Sequence, residues 1–355
     1  MGTCICVTCG NHFAEPCPEI CTVCADERQW VPPGGQRWTT LAELAAAGHR
    51  SDIRPVEPGL TGIGADPPVA IGQRSLLVST PEGNLLWDPS GFIDDAAAAA
   101  VRSAGGLRFV TASHPHFYGS IASWARSFGA EILIPADDVA WLRADAELPV
   151  RLWSGVLEVL PGVTLVQCGG HFPGSAVLHW ASGASGRGVL LSGDTIFVTP
   201  GEDRVTFVWS APNRLPLSAA AVRGVVGAVE PYRFDRIYGG WWTPVLRSGA
   251  LETVRRSALR YIEHLEGVAL ACSGGPTAGR GCGRGCGWGC GWGCGRLDAC
   301  RWAVVPVRAG TTAHRHGKRD AQAATRRTMG RCCTTAPDGD FRPAAAHCRQ
   351  CFAAC

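Results

Sequence analysis

Residues 111–120 read TASHPHFYGS, with His114 and His116 two apart in the turn that leaves the apolar run RFVTA. In such a turn both imidazoles can face one point in space. Downstream, GGHFPGS places His171 just after the apolar run VTLVQC, and LLSGDTIF places Asp194 at the end of another. Three imidazoles with one position left open form the donor set of a catalytic zinc site. Such an ion brings the pKa of a bound water to about 7. Asp194 would then either complete the coordination or orient and deprotonate the water. Tyr118, in the same turn as the first two histidines, is a candidate hydrogen-bond donor to a substrate oxyanion or leaving group. Each of these residues also has a plain reading: loop histidines, a turn histidine, a capping aspartate, a packing tyrosine.

A second constellation lies at the start of the chain. CVTCG and CTVC give Cys6-x2-Cys9 and Cys21-x2-Cys24, four thiolates spaced for one tetrahedral zinc, with Gly10 suited to the tight turn behind the first pair. Rubredoxin-like iron uses the same ligand set, so iron is the rival metal. Such a site has no open position, and its expected role is structural. Cys4 and Cys17 are read as spares, with Cys17 able to replace a neighbour. A disulfide framework is not expected, because the setting is read as cytoplasmic.

The elements that must carry these residues follow from composition and pattern. The 355 residues fall into three blocks. Residues 1–50 hold the cysteine knuckles, the linker WVPPGGQRW and a short helix, TTLAELAAAG, capped by Thr40. Residues 51–268 alternate apolar strands with helices. RSLLVST and NLLWDP flank the turn PEGN as a hairpin, IDDAAAAAVRSAG and FYGSIASWARSFG read as helices, and ADDVAWLRA reads as a short one. VLEVL, VTLVQC, AVLHWAS, GVLLSGD, VTFVWS and FDRIYG read as strands, LSAAAVRGVVGAVE and residues 248–266 as helices. Early hairpins followed by alternation predict a mixed sheet architecture with covering helices. Residues 269–355 differ: 11 glycines crowd residues 271–295, and the repeat GCGRGCGWGCGWGCGR has no period that could bury a core. Lys318 is the only lysine, against 32 arginines, a bias that a shifted frame of a GC-rich gene would produce. This tail is expected to be disordered or artefactual.

Charge follows the same division. Residues 271–355 carry 13 Arg or Lys against 4 Asp or Glu, and the remainder 20 against 26. The acidic main body predicts no nucleic-acid surface. With no apolar run of about 18 residues, no membrane span is expected. The start MGTCICVTCG lacks a basic n-region and an apolar h-region, which points to a cytoplasmic protein and away from antibiotic degradation.

SHPHFYG, GHFPGS and LLSGD, in this order and each after a strand, resemble the metallo-β-lactamase-fold hydrolases over roughly residues 70–265. The resemblance implies a four-layer αββα sandwich (α/β, or α+β, by class) with the site at one edge. It assigns His114, His116 and His171 to the three histidines of the first metal site and Asp194 to the bridging carboxylate. Asp88, in LLWDP, matches the family's structural aspartate. The family's first motif is His-x-His-x-Asp-His, but Tyr118 and Gly119 stand in its last two places. YGGWW stands where a late histidine is expected, and His264 falls inside a helix pattern. The resemblance therefore implies one metal, not two.

Two readings follow. The first is a metal-dependent hydrolase, with mononuclear zinc, acting on a small-molecule ester, thioester, amide or phosphoester. The second is a catalytically decayed binding or regulatory protein that keeps the fold. A third class, an electron-transfer protein with iron at the cysteines, would be separated from both by metal analysis.

Overall fold

The computed structural model describes residues 2–144 and 146–267, so the readings made for 268–355 fall outside the described residues. Two sheets make the centre. In the first, strands Arg50–Glu57, Leu60–Asp66, Ser75–Thr80, Gly83–Trp87, Phe109–Thr111, Glu131–Pro135 and Val150–Trp153 lie side by side in chain order. The first four pair antiparallel and the last four pair parallel. In the second, Val156–Leu160, Val163–Gln167, Ala176–Trp180 and Val189–Leu191 run antiparallel; Arg236–Tyr238 then joins parallel, and Val245–Leu246 closes the edge.

Period-two alternation sends neighbouring side chains to opposite layers. Leu76 and Val78 enter the cluster between the sheets with Leu85, Trp87, Leu133, Val163, Leu165 and Leu178. Leu77 and Leu86 face the other way, onto helices Asp95–Ser103 and Ile121–Phe128 through Ala97, Val101, Ile121 and Trp124. Val166, Val177 and Leu190 turn outward from the second sheet onto helices Ala219–Val229 and Ala250–Glu266. Helix, sheet, sheet, helix: the four-layer expectation holds.

Local chemistry starts these helices where the sequence places them. The Asp94 side chain accepts from Ala97 N at 2.9 Å, and Thr40 and Glu43 form a reciprocal capping box. The short helix expected in ADDVAWLRA forms as a 3-10 helix over Ala136–Trp141. Two features differ from the sequence reading. VTFVWS splits into Val205–Thr206 and Val208–Ser210, which pair with different partners, because the buried Phe207 interrupts the strand. The hairpin of Arg50–Glu57 and Leu60–Asp66 was not anticipated, since Pro55, Gly62 and Gly64 blur its alternation.

The cysteine segment forms its own three-stranded sheet, in which Thr3–Cys6 pairs antiparallel with both His12–Ala14 and Trp38–Thr39. Cys4 and Cys17 are joined by a disulfide, which corrects their reading as spares. The segment is stitched to the sandwich: His12 N donates to Gly119 O at 3.2 Å, and the His12 ring bonds Gly91 O at 2.8 Å.

Candidate metal centre

The four residues of the first constellation come together at strand ends. His114 follows strand Phe109–Thr111, His116 lies in the 3-10 turn Pro115–Phe117, His171 lies in the loop after Val163–Gln167, and Asp194 follows Val189–Leu191. Their candidate ligand atoms all lie within 4.8 Å of one another, and all four residues are buried. His116 Nδ1 is 3.4 Å from His171 Nε2, while Asp194 Oδ2 is 3.5 Å from His114 Nε2 and 4.0 Å from His171 Nε2. A tetrahedral ion with nitrogen and oxygen ligands needs edges of about 3.3 Å. His114 Nε2 and Asp194 Oδ1 are buried with no hydrogen-bond partner, a cost that only a ligand at this point would relieve. The residues fit a metal.

The surroundings hold them in metal-binding form. Ser113 Oγ sits 2.8 Å from His114 Nδ1, so a proton there leaves Nε2 free to face the ion. Ser113 N donates to Asp88 Oδ1 at 2.6 Å. Asp88 itself is not among the converging groups; desolvation pushes its carboxyl up to about 7 against the opposing pull of His114. Desolvation holds the His116 imidazole well below its ordinary pKa, with His114 and His171 adding to it, and lowers His171 to about 4. Both rings are therefore neutral near pH 7, as ligation requires. Gly193, at φ 48°, lets the loop pass Ser113, whose Oγ a side chain would strike.

Tyr118 follows His116 by two residues in the same turn. It is buried in the cluster under helix Ile121–Phe128, its hydroxyl has no partner, and desolvation holds its pKa well above the ordinary value. His179 bonds Arg233 O at 2.9 Å and is remote in function, and His264 is exposed on the last helix. Trp241 donates to Ile71 O and packs on Phe117 and Phe197, while Trp242 lies between Arg54 and Arg74.

The four thiols also converge. Cys6 Sγ to Cys24 Sγ and Cys9 Sγ to Cys21 Sγ are each 3.6 Å, close to the edge of about 3.8 Å for a zinc–thiolate tetrahedron. Gln36 Nε2 and Asn11 Nδ2 donate to Cys6 Sγ and Cys9 Sγ at 3.2 and 3.4 Å. The thiols compete for charge: Cys21 lowers Cys6 and raises Cys9 and Cys24, a conflict that a cation would resolve. Among the described residues these are the two groups of metal-ligand type.

Three site residues escaped the sequence reading, all from the cysteine segment. Asn11 Nδ2 donates to His116 O at 3.0 Å, Arg28 Nε to His171 O at 2.8 Å, and the Gln29 carboxamide lies 3.2 Å from His116 Nδ1. Arg28 stacks between Phe172 and Trp209 and pairs with Asp26. A glutamine or arginine beside a linker carries no motif, so only the fold reveals them.

The same segment explains Gly119. A Cβ there would lie 2.6 Å from Asn11 Cα and 3.0 Å from Gly10 O, so no side chain fits where the family's motif has histidine. Residues 70–258 match the family model of the metallo-beta-lactamase superfamily. The chain belongs to that superfamily. It is 39% identical over 265 residues to the uncharacterized protein YmaE of Bacillus subtilis (strain 168), a match that spans 74% of this chain and 96% of that one. A hydroxyacylglutathione hydrolase of Anaeromyxobacter dehalogenans (strain 2CP-C) is 35% identical over 119 residues, 32% of this chain and 41% of that protein. Among solved structures, metallo-beta-lactamase SMB-1 in complex with mercaptoacetic acid is 20% identical, with 59% of this chain and 94% of that chain covered at a TM-score of 0.40. Among the described residues of this superfamily member, no helix is long and apolar enough to cross a membrane.

Proposed function

We propose that this protein is a hydrolase working with a single zinc ion held by His114, His116 and His171, with Asp194 beside it. The convergence of these four buried side chains, each with one atom that has no hydrogen-bond partner, carries the reading. An ion held there supplies the Lewis acidity that lets water attack near neutral pH. Asp194, with its Oδ2 3.5 Å from His114 Nε2, is placed to accept the proton from the attacking water and return it to the leaving group. The Tyr118 hydroxyl, which has no partner of its own, is proposed to donate to the developing oxyanion. Cys6, Cys9, Cys21 and Cys24 hold a second, structural zinc, with iron as the competing metal.

The substrate is a small molecule with a hydrolysable acyl or phosphoryl bond. The partial likeness to a hydroxyacylglutathione hydrolase favours testing thioesters before esters, amides and phosphoesters. The direct experiment combines metal analysis with a thioester panel. The intact protein should carry one ion per chain in each group and hydrolyse thioesters in a chelator-sensitive way. His116→Ala should lose one ion and the activity. Tyr118→Phe should lower kcat with little change in KM; an unchanged kcat would leave Tyr118 to packing. Retention of both ions in His116→Ala would remove the reading, and bound metal without turnover across the panel would favour a decayed binding protein.

A further inference from the structure

The loop that follows the cysteine knuckles ends inside the histidine site. Its Gln29 carboxamide is 3.2 Å from His116 Nδ1, and that nitrogen is 3.4 Å from His171 Nε2. The amide thus lies within 0.2 Å of the spacing that separates two of the candidate ligand atoms. The approach is not a loose surface contact. Asn213 Nδ2 donates to Gln29 O and Glu27 O at 3.2 and 3.0 Å, Ser210 Oγ donates to Arg28 O at 2.8 Å, and Arg28 grips His171 O. Residues 27–29 are therefore pinned from one side by residues 210–213 and from the other by the His171 loop.

We propose that Gln29 is a ligand residue of the metal centre, contributed by the cysteine segment, and this rests on the single-ion reading above. When His116 Nδ1 gives its lone pair to an ion, an amide N–H aimed at that atom has nothing to bond. A half-turn about the Cγ–Cδ bond presents Oε1 instead, at the same place and without moving the backbone. A neutral oxygen there adds a donor without adding charge to a group that already holds Asp194. It also explains why the chain tolerates Tyr118 and Gly119. The cysteine segment occupies the space that a side chain at residue 119 would need, and the segment returns one donor to the ion. Gln29 then joins Asn11 and Arg28 in tying the cysteine segment to the histidine site.

The experiment uses the full-length protein loaded with cobalt(II), whose thiolate charge-transfer band reports the group of Cys6, Cys9, Cys21 and Cys24 and whose visible ligand-field bands report the histidine site. Gln29→Ala should change the ligand-field bands and speed loss of that ion to a chelator by about tenfold, leaving the thiolate band in place. Asn213→Ala, which frees the loop, should move the same readouts in the same direction by less. Gln29→Glu, which keeps an oxygen at the site, should retain the ion at least as firmly and should also alter the bands, so a poorly folding Gln29→Ala does not leave the question open. Unchanged bands and loss rate in both Gln29 variants, while His116→Ala releases the ion, would overturn the assignment of Gln29 and leave the single-ion reading standing. Retention of the ion in His116→Ala would overturn both.

Discussion

Gly119 and Asn11 are in backbone contact: a methyl group added to Gly119 would reach within 2.6 Å of Asn11 Cα. His12 N bonds Gly119 O at 3.2 Å on the same strip, and Asn11 Nδ2 bonds both Cys9 Sγ and His116 O. The cysteine knuckle therefore fills the place that a side chain at residue 119 would need. Building the family's motif back, Tyr118→Asp with Gly119→His, should not create a two-metal site. The expected outcome is loss of roughly 1–3 kcal/mol of stability from overpacking, with no added ion by metal analysis. A second equivalent bound without loss of melting temperature would show that the knuckle yields.

Cys21→Ser tests how far the knuckle's influence reaches. Removing one thiolate from a closed four-thiolate site should release its ion and expose residues 1–30 to protease. Because Asn11, Arg28 and Gln29 link this segment to His116 and His171, the histidine site should lose its ion faster as well. Metal content followed over time in chelator would show two losses rather than one. A single loss, with the histidine site unaffected, would mean that the sandwich holds its site unaided.

Much of this was legible in the sequence because it depends on local pattern. Leu76-Leu77-Val78 and Leu85-Leu86-Trp87 alternate between two apolar layers, and a strand buried on both faces reads as a continuous apolar run. His114, His116, His171 and Asp194 were legible because each sits where a strand ends. What stayed hidden depends on contacts across long separations. Gln29 and His116 are 87 residues apart, and nothing local to either marks the pair. The Cys4–Cys17 disulfide has no signature of that kind: only Cys6, Cys9, Cys21 and Cys24 sit at paired spacing.

Asp138 offers a test of stability against pH. It is fully buried, Gly174 N donates to its Oδ1 at 3.0 Å, and its Oδ2 has no partner. Desolvation raises its pKa from 3.8 to about 6, opposed by the Gly174 bond. A folded-state value above the unfolded one means the native state holds the proton more tightly. The stabilising contribution is thus full below about pH 4 and disappears as pH rises through about 6. Asp138→Asn keeps an acceptor for Gly174 and cannot ionise. Its unfolding free energy should match the parent's near pH 4 and exceed it at pH 8, by a margin on the order of 1–3 kcal/mol. Parallel stability curves for the two proteins would place the titration elsewhere.

Asp194 separates coordination from proton transfer. If its main role is to accept a proton, Asp194→Asn should keep the ion, since three histidines remain, and lose about 10²–10⁴ in kcat. If its main role is to hold the ion, the same change should lower metal retention and activity together. The 3.5 Å from Oδ2 to His114 Nε2 puts the carboxylate at ligand spacing, while Oδ1 is buried and unpaired, free to take a proton. That arrangement favours one oxygen toward the ion and the other toward the water. The expected result is therefore a metal-loaded Asp194→Asn protein with its rate down by at least about a hundredfold and its KM near that of the parent. A loaded variant with an undiminished rate would exclude Asp194 as the base and shift that role to another group in the site.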